Sequence, residues 1–278
     1  MKMQKKRLFF SKLLANSIAL VISLIFIFPI YYLITSSLKT VKQMWHDPYL
    51  WFFQPTLENF IHLFTTRSFE QPYINSLIVV TANVAISLLI GIPAAYGLAR
   101  CGIRGKEKIS FWMLSQLMLP PVAGLVPFYL LIRYMGLLHT RLALIIVYLS
   151  FNLPFVTWIM KGFFESLPKE LEEAALVDGC NRWQSFIHIA IPLSLPGVFS
   201  TALICVILTW NEFLLALALT GSQTYTLPVV ITTFWTDRVI QWGPICAAGV
   251  LIVIPIIIFG LIIQKYLVTG LTMGAIKG

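Results

Sequence analysis

The sequence predicts an all-α integral membrane protein with about six transmembrane helices, and three features of its 278 residues carry that prediction. Hydrophobic residues make up 58% and charged residues only 11%, whereas a soluble domain is about 45–50% apolar and about 25% charged. With a mean hydropathy of +0.85, the chain cannot hide its apolar surface in one soluble core. Its apolar residues fall in long runs, and roughly 20 such residues cross a bilayer as a helix. Its net charge is +9, but the cations gather between the runs. That distribution fits orientation in membrane lipid rather than a basic face for nucleic acid, which is not an expected partner.

The first span, 13–37, follows Lys2, Lys5, Lys6, Arg7 and Lys12. Such a start also suits a signal peptide, but the apolar run from Leu13 to Ile34 is too long and no A-x-A site follows, so the segment reads as a retained anchor. The remaining spans are 73–99, 109–132, 142–161, 197–221 and 243–267. Gly91 and Pro93 interrupt the second, Pro120, Pro121 and Pro127 the third, and Pro154 the fourth. In lipid the backbone groups freed by Pro need partners from neighbouring helices or cavity water, so these breaks fit a packed, moving bundle; simple kinks are the other reading. No repeat and no low-complexity linker divides the chain, and a single domain over 1–278 is expected. With a cytoplasmic N-terminus, 14 of the 20 Lys and Arg lie inside, and Lys39, Lys42, Arg67, Arg133, Arg141 and Arg238 lie outside. The positive-inside rule then predicts that both termini are cytoplasmic.

Residues 162–196 break the membrane pattern, because Glu165, Glu170, Glu172, Glu173 and Asp178 crowd together there. Pro168 suits a first turn and the acids after it complement the helix dipole. Leu171, Ala174 and Ala175 line one expected face, Gly179 stops the helix, and Trp183, Phe186, Ile187, Ala190 and Ile191 form a second apolar stripe that Pro192 ends. Two short helices meeting at Gly179 make a knob. It either enters the groove of a cytoplasmic partner or lies along the membrane interface.

Glu173-Ala174-Ala175, then Gly179 after three residues, then Ile189, Ile191 and Pro192 after nine more, resembles the EAA loop of permease subunits of binding-protein-dependent ABC importers. Ile191 stands where that family usually has Leu, a change of branching rather than polarity. The likeness extends along the chain. Pro55-Thr56-Leu57-Glu58-Asn59-Phe60 resembles the family's first outer loop, Ala94-Ala95-Tyr96 with Ala99-Arg100 its second-span exit, Trp210-Asn211-Glu212-Phe213 its fifth span, and Gly270 to Gly278 its tail. It points to the carbohydrate-uptake branch, near the smaller maltose-type permeases. The resemblance implies a type I ABC importer permease fold in the plasma or inner membrane of a bacterium or archaeon. It further implies a second permease subunit, two cytoplasmic ATP-binding subunits, an extracytoplasmic solute-binding protein and a carbohydrate substrate. Coupling to the ATPases would run through Glu173, Ala174, Ala175, Asp178, Gly179, Arg182, Ile189 and Pro192, with a second contact at Gly274, Lys277 and Gly278.

No GxxxxGK[ST] occurs, and Gly102-Ile103-Arg104-Gly105-Lys106 has the wrong spacing. ATP and Mg therefore belong to the partner ATPases, and no cofactor is expected in this chain. The four cysteines are scattered and the four histidines isolated, so neither a metal site nor a catalytic cluster is expected. Glu212 is the one acid inside a span; an intramembrane carboxylate should face protein or water. With Asn211 it either binds sugar hydroxyls or fixes helix packing, and Asn83, Gln116 and Asn152 are similar candidates for the translocation path. Trp210 offers a ring for sugar stacking or an interfacial anchor. A stand-alone carrier or channel is the competing reading; it predicts ion-coupling charges at the midplane and an inverted repeat, and the spans show neither clearly.

Overall fold

A computed structural model describes residues 2–46, 52–66, 69–234 and 241–275, and every regular element among them is helical. In chain order these are α1 Lys2–Ser37, α2 Val41–His46, α3 Glu58–Thr66, α4 Glu70–Arg100, α5 Lys106–Leu117, α6 Pro121–Tyr134 and α7 Arg141–Ser166. After them come α8 Lys169–Val177, α9 Arg182–Ser185, a π-helical turn Phe186–Ala190, α10 Ile191–Leu193, α11 Leu195–Trp210, α12 Leu214–Leu219, α13 Leu227–Thr232 and α14 Trp242–Ala275. Among the described residues four stretches are long and apolar enough to cross a membrane: Lys12–Ser37, Glu70–Arg100, Arg141–Ser166 and Trp242–Gln264. Two bent pairs bring the count to as many as six.

The chain folds as two compact units. Met1–Ser68 with Thr233–Val253 form the first. Large apolar side chains from Leu13 to Phe28 point outward all round α1, the pattern of a helix whose surroundings are hydrocarbon. At the end of α1 the buried Asn59 amide donates to the carbonyls of Ser37 (2.8 Å) and Lys39 (2.7 Å). These bonds satisfy helix-end acceptors that would otherwise be orphaned. Gly243 packs directly on Asn59, and a Cβ there would collide with the amide.

Phe69–Thr232 with Ile254–Gly278 form the second unit. Its spine is α4 against α7. Gly91 allows their close approach, since a Cβ at that position would lie 2.6 Å from Val156 Cγ1. Val79, Ile132, Leu144, Val147, Leu215 and Leu219 form the apolar core. Asn75 pins the start of α4, donating to the carbonyls of Gln223 (3.0 Å) and Tyr225 (2.9 Å) while accepting from Arg141 Nε (2.7 Å). These bonds tie the start of α4 to α7 and to the segment between α12 and α13.

The expected third span, 109–132, is not one continuous helix. α5 and α6 meet at 96°, because extended Pro120 (ψ 134°) precedes Pro121, and a residue before proline is driven out of the α region. The expected fifth span, 197–221, is also divided. α11 ends at Trp210 and α12 starts at Leu214, where the Glu212 carboxylate accepts from the amides of Leu215 (2.8 Å) and Ala216 (3.0 Å). That side chain does the work of an N-cap, so a new helix can begin.

Candidate functional site

α8 is closed by a C-terminal motif readable atom by atom. Cys180 N donates to Ala175 O (2.9 Å), Gly179 N donates to Leu176 O (3.2 Å), and Gly179 has φ +90°. This is a Schellman turn, which needs a left-handed residue at the position that Gly179 holds. Asn181 then opens α9 with a reciprocal capping box to Gln184, both bonds 2.8 Å. The two short helices and the glycine turn predicted for this segment are therefore present.

Each expected apolar face is split between interior and surface. On α8, Leu171 and Ala174 are exposed, and the inward face is Ala175 with Glu172. The reason is a buried acceptor that two donors satisfy: Arg100 Nε lies 2.7 Å from Glu172 Oε1, and the Tyr96 hydroxyl lies 2.6 Å from Oε2. The Arg100 and Glu172 side chains are only 6% and 11% exposed. Removing one member of such a pair leaves an uncompensated charge and costs about 3–5 kcal/mol. In the second stripe Phe186 and Ala190 are buried while Trp183 and Ile187 are exposed. Phe186 sits against Tyr96 with ring centroids 4.6 Å apart. Pro192 does not end this helix, which continues through the π turn to Leu193 and bends by 73° into α11. The widened turn and the bend flank Pro192, which has no N–H to give the ladder.

Outward, the knob presents Glu173, Ala174, Val177, Asp178 and Trp183. Val177 is 87% exposed and Trp183 60%. A cleft of about 330 Å³ runs beside it, lined by Arg100, Lys106, Lys169, Glu173 and Arg182 among others.

A second cavity, of about 300 Å³, opens at the α5–α6 break and is lined by Gln116, Phe128, Ser150, Phe151 and Glu212. Glu212 accepts a third bond there, from the Tyr148 hydroxyl (2.6 Å). Its carboxylate both starts α12 and contributes an acidic wall, beside an amide and aromatic faces. Such a set can accept from and donate to hydroxyl groups.

Residues 87–273 match the family described as binding-protein-dependent transport system inner membrane component. The chain belongs to this family. It is 38% identical to a probable ABC transporter permease of Sinorhizobium fredii, over 96% of each protein. It is 34% identical to the trehalose/maltose transport system permease of Thermococcus litoralis, covering 94% of this chain and 95% of that one. A chain of a crystallised bacterial ABC transporter involved in the import of the acidic polysaccharide alginate superposes with a TM-score of 0.76 at 26% identity, covering 91% of this chain and 95% of that chain. The expected type I ABC importer permease fold is therefore the fold observed.

In this permease the expected coupling residues Glu173, Ala174, Asp178, Gly179 and Arg182 are exposed, while Ala175 is buried, Ile189 half-buried and Pro192 exposed. Gly274 lies in the last turns of α14, and Lys277 and Gly278 fall outside the described residues. Of the expected path residues, Gln116 and Glu212 share the cavity. Asn211 is exposed and turns its amide back to Ile207 O (2.8 Å). Asn83 and Asn152 are fully buried. Asn152 Nδ2 donates to Asn83 Oδ1 (2.5 Å) and Thr209 Oγ1 (2.6 Å), and Asn83 Nδ2 donates to Ile145 O (2.9 Å). Together they clamp α4, α7 and α11. Trp210 is buried and meets Tyr73 edge-on at 6.2 Å. Sequence reasoning missed Tyr148, Tyr96, Arg100 and Glu172 as site residues. The one signal for Glu172 was its place beside Glu173; its partners are 72 and 76 residues away.

Proposed function

We propose that this permease is the membrane-spanning subunit of an ATP-driven importer for a sugar or oligosaccharide handed over by an extracytoplasmic binding protein. The observation that carries the reading is the exposed knob of α8 and α9, matching the family's spacing from Glu173 to Pro192. It offers a protruding acid and small side chains to a groove, with its inner face already anchored. Two ATPase subunits receive this knob and hold the ATP and Mg that the permease itself does not bind. Glu173 and Arg182 meet the groove rim, Gly179 and Ala174 allow close approach, and the tail at Gly274, Lys277 and Gly278 adds a second contact. A second permease subunit completes the path, and both termini are cytoplasmic. The sugar class is supported by the trehalose/maltose relative and the alginate transporter, and by the hydroxyl-binding chemistry of Gln116 and Glu212 at the cavity.

Purification in mild detergent should bring down an ATPase and a second permease. The reconstituted complex with its binding protein should hydrolyse ATP faster with at least one of maltose, trehalose or an alginate oligosaccharide. A permease that purifies alone and moves solute on an ion gradient would overturn the proposal.

A further inference from the structure

We propose that Glu172, Arg100 and Tyr96 form the strut through which displacement of α8 is carried into α4, an inference that rests on the importer reading above. Glu172 immediately precedes the exposed acid Glu173 yet points the opposite way, and both of its carboxylate oxygens are held by donors from α4. Tyr96 and Arg100 stand four residues apart on that helix and so share one face. A carboxylate gripped by two donors one turn apart resists both sliding and rotation of α8 against α4. Arg100 adds a third point, because its Nη2 donates to Leu167 O (2.8 Å) at the entrance to α8. One guanidinium thus holds the helix and the chain leading into it.

Apart from Glu172, the buried face of α8 is Ala175 alone. A nine-residue helix with a single buried apolar residue has little other purchase on its own subunit, and its far end is a glycine turn. The polar attachment therefore sets where α8 sits. Beyond it α4 is stiffly coupled: Gly91 is in contact with Val156, and Asn83 is bonded to Asn152, which bonds Thr209 of α11. The helices so engaged, α7 and α11, carry Ser150, Phe151 and Leu208 of the cavity wall. The chain of contacts runs from the exposed knob through Arg100 to that wall without a gap. Glu172 is accordingly a positioning residue, and Glu173 is left free for a partner.

The test uses the whole complex with ATPase subunits and binding protein, reconstituted in liposomes. Native cysteines are replaced by alanine, and Ser150→Cys in the cavity wall serves as a maleimide-labelling probe. In the otherwise unaltered complex, ATP and Mg should change the labelling rate of position 150. Glu172→Gln and Arg100→Lys should keep the ATPases bound and hydrolysing while reducing that ATP-driven change at least tenfold, a separation of hydrolysis from movement that loss of folding would not produce. Tyr96→Phe removes one hydroxyl and should reduce the change about threefold. A full ATP-driven change in Glu172→Gln and Arg100→Lys overturns the strut. If those two variants fail to assemble, Tyr96→Phe decides, and an unaltered response in it overturns the proposal equally. An unaltered complex with no ATPase bound would instead overturn the importer reading, so the two failures are distinct.

Discussion

Gly179 shows how one residue shapes the exposed knob of α8 and α9. At φ +90° it occupies the left-handed region, and a Cβ built there meets nothing within 4 Å. Any penalty on a side chain is therefore conformational within this chain, about 1–2 kcal/mol for most L-residues and less for Asn, which visits that region more readily. Gly179→Val should release ATPase subunits from the purified permease by about 5–30-fold, the ratio that such an energy commands. Gly179→Asn should retain them within about twofold, and permease abundance should stay normal in both. Equal retention in the two variants would sink the backbone explanation. This glycine was legible from sequence because the apolar periodicity stops there. Glu172 was not, because charge alone assigns an acid to the surface. Only the distant Arg100 and Tyr96, brought together by folding, make an inward carboxylate tolerable.

At the scale of elements, continuous apolar runs were readable and their breaks only in part. The spans expected at 73–99 and 142–161 became α4 and α7 with ends within a few residues, since length and hydropathy decide such helices. The third and fifth spans divided for reasons that hydropathy does not record: the extended backbone forced at Pro120 and the capping carboxylate of Glu212. The paired prolines marked the first break, though not its 96° angle. Interhelical contact was similarly hidden. Gly91 reads as a helix-weakening residue, yet it is the point where α4 meets Val156 of α7. Gly91→Ala should destabilise the detergent-solubilised permease by about 1–3 kcal/mol, the usual penalty for overpacking. Val156→Ala on the same chain should recover part of that loss, because it removes the Cγ1 that lies 2.6 Å from the added Cβ but leaves the Val156 Cβ at 2.9 Å, so the two effects are not additive. Unfolding midpoints of the two single variants and the double variant measure this. Additive losses would mean that the contact is slack.

For the whole molecule, charge predicts an orientation, and the packing supplies an independent constraint. Arg100 touches Glu172 of α8, and Lys161 near the end of α7 pairs with Glu165 (3.3 Å) and with Glu107 of α5 (3.8 Å). One end of the α4–α7 spine therefore gathers Arg100, Lys106, Lys161 and Lys169 beside α8. At the opposite end Arg141 bonds Asn75. If each of these helices crosses the membrane once, the knob and this cationic cluster share a side, and the positive-inside rule predicts that this side faces the cytoplasm. Ser185 is buried, so cysteine labelling is better placed at Val177, which is 87% exposed, and at Phe52, which is 93% exposed. In a background without native cysteines, Val177→Cys should react with a membrane-impermeant maleimide only after the cytoplasmic face is opened. Phe52→Cys, between the first two spans, should react in intact cells. Reaction of Val177→Cys in intact cells would invert the map, and with it the contact between α8 and ATPases, because subunits that use cytoplasmic ATP cannot reach a knob on the outer face.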